Sequence, residues 1–208
     1  MMKKIAFLCA CLLLLAGCGR SLPVVKGDRL VISEERKLPA YTQIRLECGA
    51  DLVLTHGQVG NITIKASQNM APYVLTEVSS GVLTVKMSPD FAYQFTKKLE
   101  ICIPVDDSLT EIAVHGSGDI SSQEQLQVKN LSCKVLGSGD MVLSLQAESL
   151  SFSVKGSGDM KIKGTTQDLS VDIAGSGDFD GDALQAKQVT ASVRGSGDVD
   201  LFVTEQLS

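Results

Sequence analysis

Apolar and polar residues alternate along most of this chain, and the alternation recurs at nearly constant intervals. Before the phrase Gly137-Ser-Gly-Asp, apolar residues stand two, four and six places upstream, at Val135, Cys133 and Leu131. The residues between them, Lys134 and Ser132, are polar. A period of two is the pattern of a β-strand with one buried face.

The Gly-Ser-Gly-Asp phrase, written GSGD below, occurs five times at successive spacings of 21, 19, 19 and 20 residues. A unit of about twenty residues cannot bury an apolar face alone, but stacked units can, with parallel strands about 4.8 Å apart. The repeat therefore predicts an all-β solenoid. Each phrase is followed by an apolar residue that we expect to point inward: Ile120, Met141, Met160, Phe179 and Val199.

The regular repeats occupy residues 109–208, and residues 28–108 read as irregular N-terminal coils of the same domain. In "IRLECGADLVL", Ile44 and Leu46 take inward positions and Cys48-Gly49-Ala50-Asp51 stands where GSGD would be. Ser79-Ser80-Gly81 is typical of a hairpin turn. An aromatic insertion, Ser88–Lys98, is expected either to cap the end of the solenoid or to form a contact surface.

The N-terminus indicates export and a lipid anchor. Two lysines precede an apolar run, Ile5–Leu15, which is too short to span a bilayer but suits a signal peptide. It ends in "LAGC", a sequence similar to the bacterial lipobox, so residues 1–17 are predicted to be a lipoprotein signal peptide and Cys18 the lipidated residue. An ordinary secretory signal with a chance cysteine is the alternative. Residues 18–27 would be a lipid-anchored linker and 28–208 the β-helix domain.

These features predict a bacterial cell-envelope protein that is attached to a membrane, expected to be the outer one. No acidic cluster follows Cys18, which favours a periplasm-facing position over the cell surface. Loss of Lys3 and Lys4 leaves 17 basic against 24 acidic residues, a net charge of −7. Nucleic acid is therefore not an expected partner.

Besides the lipidated Cys18, three cysteines remain in the mature chain: Cys48, Cys102 and Cys133. Their spacing fits no zinc motif. They read as small buried apolar residues, although one disulfide between Cys48 and Cys102 stays open.

The GSGD phrase itself is interpreted as a stacked corner. Glycine allows a positive φ, and the aspartate can accept backbone hydrogen bonds. Five stacked carboxylates would also repel one another, so a column that collects cations, calcium in particular, is the alternative. The residues concerned are the turn glycines Gly116, Gly118, Gly137, Gly139, Gly156, Gly158, Gly175, Gly177, Gly195 and Gly197, and the aspartates Asp119, Asp140, Asp159, Asp178 and Asp198.

An enzymatic role is not expected. His115, Lys155 and Arg194 could share one ridge, but other repeats intervene between them, and His56 has no visible partner in the sequence. No nucleophile–base constellation stands out, and no catalytic residue, resident metal or cofactor is predicted.

The GSGD phrases, together with "SEERKLPAYTQIRL" and "LEICIPVDDSLTEIAVHGSGDI", resemble the putative auto-transporter adhesin, head GIN domain family. The resemblance implies a right-handed parallel β-helix and envelope proteins, often lipoproteins, that are suspected of adhesion. It supplies no catalytic residues.

The sequence thus predicts a non-catalytic envelope lipoprotein whose β-helical surface meets an unknown protein or glycan partner, in adhesion or envelope organisation. A carbohydrate-active or calcium-binding β-helix module is the alternative. Because the last coil, "DVDLFVTEQLS", carries no capping helix, a homo-oligomer formed through the C-terminal coil is a further expectation.

Overall fold

The computed structural model describes residues 22–207, which form seventeen β-strands and one short 3-10 helix. The predicted signal peptide and Cys18 lie outside these residues. The N-terminal part contains the 3-10 helix Ala71–Tyr73 and the strands β1 Val24–Lys26, β2 Val31–Lys37, β3 Gln43–Leu46, β4 Asp51–His56, β5 Asn61–Ser67, β6 Val74–Ser79, β7 Val82–Met87, β8 Ala92–Gln94 and β9 Glu100–Val105.

The GSGD repeats supply the remaining eight strands. Two of the later ones, β15 and β16, each span a length that two separate strands cover in the earlier repeats. The eight strands are β10 Glu111–Val114, β11 Ile120–Gln127, β12 Asn130–Val135, β13 Met141–Gln146, β14 Ser149–Val154, β15 Met160–Gly175, β16 Phe179–Gly195 and β17 Val199–Leu207.

Fifteen of the strands form one mixed sheet, and the predicted right-handed parallel β-helix is wrong. The hydrogen-bonded order is β2-β5-β9-β4-β11-β13-β15-β14-β12-β10-β3-β7-β6, with β16 on β15 and β17 on β16. The pairs β2–β5, β5–β9 and β6–β7 are antiparallel. The result is a single large sheet with parallel and antiparallel pairs and not a closed solenoid.

The physical reason for this error is that the twenty-residue period governs only part of the chain. From β10 to β17 the repeats do pair in parallel and in register, as in the ladder Ile112, Cys133, Phe152 and Val171. The N-terminal segment has no such period, and it adds three antiparallel pairs: the hairpin β6–β7 and the long-range pairs β2–β5 and β5–β9. In addition, β15 runs without a break through Met160–Gly175 and joins both arms of the sheet.

The core lies between these two arms. One arm is β4-β11-β13 and the other is β3-β10-β12-β14, and both lead into β15. Their inward side chains form one buried apolar cluster, in which Phe152 of β14 meets Phe179 of β16 at a ring-centroid distance of 5.0 Å. Burial fails at the last repeat, where Val193 is 44% exposed while its counterpart Ile173 is fully buried.

The predicted hairpin turn is confirmed. β6 and β7 pair antiparallel around a two-residue loop, Ser80-Gly81, with φ of 51° and 78°. Positive φ at both central positions is the type I′ geometry, whose twist matches that of the flanking strands.

Arg36 bridges the two ends of the sheet order, which are β2 and β6. Its guanidinium donates to the carbonyls of Val74 and Ala71 at 2.5 and 3.1 Å and to the Thr76 hydroxyl at 3.2 Å. Its Nε donates to Glu34 at 2.7 Å. One side chain thereby satisfies backbone acceptors of the 3-10 helix and of β6, and holds them against β2.

Replacing Arg36 by Met is expected to lower the free energy of unfolding by about 1–3 kcal/mol, because carbonyls at the helix–strand junction lose their donor. Arg36→Lys should recover only part of this, since an ammonium lacks the planar fork that reaches several acceptors. Urea denaturation would measure both. Lys37→Met, at the exposed neighbouring position, is the control, and an equal loss in that variant would contradict a bridging role for Arg36.

Candidate interaction surfaces

The five GSGD turns stack backbone against backbone. The second glycine of each phrase is buried, and a Cβ on Gly139, Gly158, Gly177 or Gly197 would lie 2.1–2.2 Å from a carbonyl oxygen of the preceding glycine in the stack. Turn-to-turn hydrogen bonds accompany this contact, for example from the Ser157 N–H to the Gly137 carbonyl at 3.0 Å. No side chain fits between neighbouring turns.

The expected reason for these glycines needs correction. Of the ten turn glycines, all within the described residues, only Gly156 and Gly195 have a positive φ, at 159° and 145°. Close approach of two backbones, rather than a left-handed conformation, excludes other residues from most of these positions.

The turn aspartates form a ladder of hydrogen bonds. Each of the first four carboxylates accepts the backbone N–H of the aspartate in the next turn, and all five side chains are exposed. The four donor–acceptor distances are 2.9 Å from Asp140 to Asp119, 2.9 Å from Asp159 to Asp140, 2.9 Å from Asp178 to Asp159 and 2.8 Å from Asp198 to Asp178. A charge-assisted hydrogen bond to each carboxylate offsets repulsion along the column.

The described residues contain no preformed calcium site. Within residues 22–207 no group of three or more His, Cys, Asp or Glu side chains is arranged to hold a metal ion. An acidic groove of about 400 Å³ does run beside the last turns, lined by Asp159, Asp178, Asp180, Asp182, Asp198 and Asp200 together with Met160, Lys161 and Phe179. Lys161 forms an ion pair with Asp180 there. Cation binding by the aspartate column stays a hypothesis.

One outer face of the sheet is rich in hydroxyl groups. It lies on β12, β14, β15 and β16, and the side chains of consecutive strands stand in register. We call it the hydroxyl face and define it by Ser132, Ser151, Ser170 and Thr190 in one row and Ser153 and Ser192 in the next. Lys134 and Asp172 share the second row, where Lys134 pairs with Glu111 at 2.6 Å and Arg194 binds Asp172 at 2.7 and 3.0 Å.

The sequence-predicted basic ridge is not assembled into a site. His115, Lys155 and Arg194 are each exposed at their turns, with Leu136 and Ala174 occupying the equivalent positions between them. Arg194 is engaged by Asp172. The backbone N–H of His56 donates to Glu124 at 2.8 Å.

The three cysteines among the described residues are free thiols, so the disulfide considered between Cys48 and Cys102 is absent. Cys133 is fully buried in the ladder between Ile112 and Phe152. Burial raises the pKa of both Cys133 and Cys48 above that of an ordinary thiol, which disfavours the reactive thiolate.

Sequence reasoning missed a small second sheet at the N-terminal end. β1 and β8 form a two-stranded parallel ribbon, which brings residues 24–26 of the predicted linker beside the aromatic insertion. The rings there contact one another: Tyr73–Phe91 centroids are 4.9 Å apart, Tyr73–Tyr93 5.9 Å and Tyr93–Phe95 6.4 Å. The aromatic residues at 91, 93 and 95 are spaced two apart, which is the period of a β-strand and could have predicted β8.

The far end of the sheet is an open edge in the described part of the chain. β17 pairs only with β16, and Phe202 is 47% exposed. Self-association through this edge stays a prediction. No helix among the described residues is long and apolar enough to cross a membrane.

Comparison with known proteins places the chain in a family. The family described as "putative auto-transporter adhesin, head GIN domain" matches residues 40–208. The chain belongs to this family. No curated protein matches it.

Solved structures share the fold of this GIN-domain protein. A putative adhesin from Bacteroides fragilis superposes with a TM-score of 0.80 at 24% identity, covering 88% of this chain and 85% of that one. A putative lipid binding protein from Parabacteroides distasonis gives a TM-score of 0.68 at 19% identity, over 88% of this chain and 96% of that one. A putative adhesin from the same species gives 0.63 at 20% identity, over 88% and 98%. At these identities the likeness shows the fold alone.

Gly158→Ala is expected to lower the free energy of unfolding by about 1–3 kcal/mol or more, because the new methyl group has no room. It would lie 2.2 Å from the Gly139 carbonyl oxygen and 2.9 Å from Val135 Cγ1. Gly49→Ala is the matched control, since its nearest neighbour is the Ser117 hydroxyl at 3.3 Å. Urea denaturation should separate the two variants, and equal stability would contradict a backbone contact as the constraint.

Asp159→Ala is expected to lower the free energy of unfolding by about 1 kcal/mol, because the Asp178 N–H loses its acceptor. Asp159→Asn retains a carbonyl oxygen and should leave that free energy almost unchanged. Urea denaturation would measure both.

Thermal unfolding in calcium and in chelator should give the same Tm for the unsubstituted chain. A Tm that falls with chelator, together with a large loss in the Asn variant, would instead establish a calcium column.

Proposed function

We propose that this GIN-domain protein is a non-catalytic, lipid-anchored protein of the bacterial cell envelope that uses its hydroxyl face to bind a protein or glycan partner. The binding would serve adhesion or the organisation of the envelope. The observation that carries this proposal is the regularity of the hydroxyl face, whose rows of short polar side chains repeat from strand to strand.

A surface of this kind suits recognition by many weak, aligned contacts. Neighbouring strands lie about 4.8 Å apart, so the hydroxyls of Ser132, Ser151 and Ser170 present donors and acceptors at a fixed spacing. The stacked turns at one edge hold that spacing, because their backbones are in contact. Little conformational entropy would be lost on binding, since short serine side chains on a rigid sheet have few rotamers to freeze.

The described side chains support a binding role over a catalytic one. The histidines and basic residues singled out by the sequence are not brought together, and the buried thiol of Cys133 is held in its protonated form. The cavities beside Ile162 and beside Asp178 are partly open to solvent, whereas the usual form of an active site is a deep pocket with convergent polar groups.

The proposed location follows from the sequence and from the relatives. Lipidation at Cys18 would hold the chain on a membrane, which we propose to be the outer one, with the domain facing the periplasm. The B. fragilis neighbour is named a putative adhesin, which supports a role in contact at the envelope.

The test is a binding assay with the mature chain and isolated cell envelopes. Ser151→Lys/Ser170→Lys places two long charged side chains on the hydroxyl face and is expected to weaken binding about tenfold or more, through steric obstruction of aligned contacts. Both positions are exposed, so stability should be unchanged.

Gln127→Lys/Gln146→Lys is the matched control, with the same charge change at two exposed positions of the opposite arm. This variant should bind envelopes like the unsubstituted chain. Equal loss in both variants, or no loss in the Ser variant, would show that the hydroxyl face is not the contact surface.

A further inference from the structure

The large apolar side chains that the structure leaves exposed are concentrated at the N-terminal end. Nine such residues are found among residues 22–207, and five of them lie in residues 22–31 or on the aromatic insertion. Their exposed fractions are 48% for Leu22, 66% for Val24, 60% for Leu30, 46% for Val31 and 40% for Phe95. We call these five residues, with the cations Lys26, Arg29, Lys97 and Lys98, the anchor-side patch.

Hydrogen bonds fix this patch to the rest of the fold. The Gly27 N–H donates to the Gln94 carbonyl at 3.0 Å, and the Thr96 hydroxyl donates back to the Gly27 carbonyl at 2.6 Å. The Asn69 side chain binds the Lys26 carbonyl at 2.8 Å and accepts from the Asp28 N–H at 2.9 Å. The exposed apolar residues therefore belong to an ordered surface and not to a loose tail.

The aromatic rings behind the patch are arranged in one contiguous group. Tyr93 contacts Phe91, Tyr73 and Phe95 at centroid distances of 6.5, 5.9 and 6.4 Å. The Tyr93 hydroxyl is satisfied by the Ser88 carbonyl at 2.9 Å. Such a group combines apolar ring faces with a polar rim, which is the chemistry enriched where proteins meet the headgroup layer of a bilayer.

The charge of the patch is opposite to that of the protein. Residues 22–31 and 88–98 contain four cations, Lys26, Arg29, Lys97 and Lys98, and two acids, Asp28 and Asp90, a net charge of +2. The mature chain as a whole carries −7, so the remainder carries −9. Lys98 pairs with Asp51 at 3.0 Å, so including Asp51 leaves a net charge of +1 at the patch. This local excess of cations complements the phosphate groups of a phospholipid surface.

The short distance between the patch and Cys18 favours a membrane as the partner of the patch. Only four peptide units separate Cys18 from Leu22, and an extended chain of that length spans at most about 14 Å. A lipid on Cys18 would therefore hold β1, and with it β8 and the aromatic rings, next to the bilayer.

Val24 lies on the face of the β1–β8 ribbon opposite Phe95, because Tyr93, which contacts Phe95, pairs in register with Val25. We propose that the anchor-side patch lies on the phospholipid surface with this ribbon edge-on, so that Val24 on one face and Phe95 on the other reach the headgroups and the lysines reach the phosphates. This rests on the lipid anchor proposed above. The contact fixes the orientation of the domain, so that β17 and the open edge point away from the membrane. The lipid anchor alone would not fix this orientation.

The chain has no tryptophan, so a single one can report the depth of a chosen position. Phe95→Trp is compared with Phe202→Trp, because the two phenylalanines are 40% and 47% exposed at opposite ends of the molecule. Each acylated mature chain is reconstituted in vesicles of phosphatidylethanolamine and phosphatidylglycerol that contain brominated lipid. We expect the emission of the tryptophan at 95 to shift to shorter wavelength and to be quenched, and that of the tryptophan at 202 to be unaffected.

Mass spectrometry and vesicle co-sedimentation separate this proposal from the lipid anchor itself. If the chain is not acylated and does not sediment with vesicles, the anchor fails. If it sediments but the tryptophan at 95 is unquenched, or is quenched no more than that at 202, the membrane contact of the patch is overturned. Concentration-dependent dimerisation that shields the tryptophan at 95 without lipid would assign the patch to a second copy and would also overturn it.

A second measurement removes the anchor altogether. The mature chain with Cys18→Ser should bind the same anionic vesicles weakly, and Lys26→Gln/Lys97→Gln should weaken that binding about thirtyfold, since each cation near the surface contributes about a factor of five. Lys155→Gln/Lys187→Gln removes the same charge from exposed positions elsewhere and should have little effect. Equal effects of the two pairs would mean that attraction is not localised at the patch.

Discussion

Contact between the backbones of successive turns is the constraint on which the repeated half of this fold depends. Each GSGD corner rests directly on the one before it, with no side chain between them. This contact sets the strand spacing along one edge and keeps the inward residues in register, so that Phe152 and Phe179 can fill the space between the two arms. The aspartate ladder lies on the same corners and supplies an acceptor to each new turn.

The N-terminal part has no repeat, so its strands are joined to the sheet by other contacts. Antiparallel pairs are added to the parallel ones, the Ser80-Gly81 turn reverses the chain, and Arg36 joins the first and last strands of the order. The ribbon of β1 and β8 lies outside the main sheet. Regular polar rows on the repeats and an apolar, cationic ribbon at the other end give the molecule two surfaces of different chemistry.

Local pattern was sufficient to predict what depends on period and on turn chemistry. The inward ladder through Cys133 and Val135, the parallel register of the repeats and the Ser80-Gly81 hairpin all follow from residues close in sequence. The strand order of the N-terminal part does not, because it depends on how residues 28–108 pair, and apart from the β6–β7 hairpin those pairs join residues 24 to 49 positions apart. For the same reason, the Arg36 contacts to Val74 and Ala71 could not be predicted from local pattern. The turn glycines were identified, but their reason was not, since a neighbouring backbone is invisible in a single repeat.

The aspartate ladder runs in one direction along the chain, with each turn accepting from its successor. A repeat therefore brings both a donor for the turn before it and an acceptor for the turn after it, and its hydrogen bonding does not depend on how many repeats there are. Insertion or deletion of a whole twenty-residue unit leaves every remaining corner satisfied. The domain can therefore lengthen or shorten during evolution by about 4.8 Å per unit without a new fold. Selection can then act on its length without altering the surface residues of the remaining repeats.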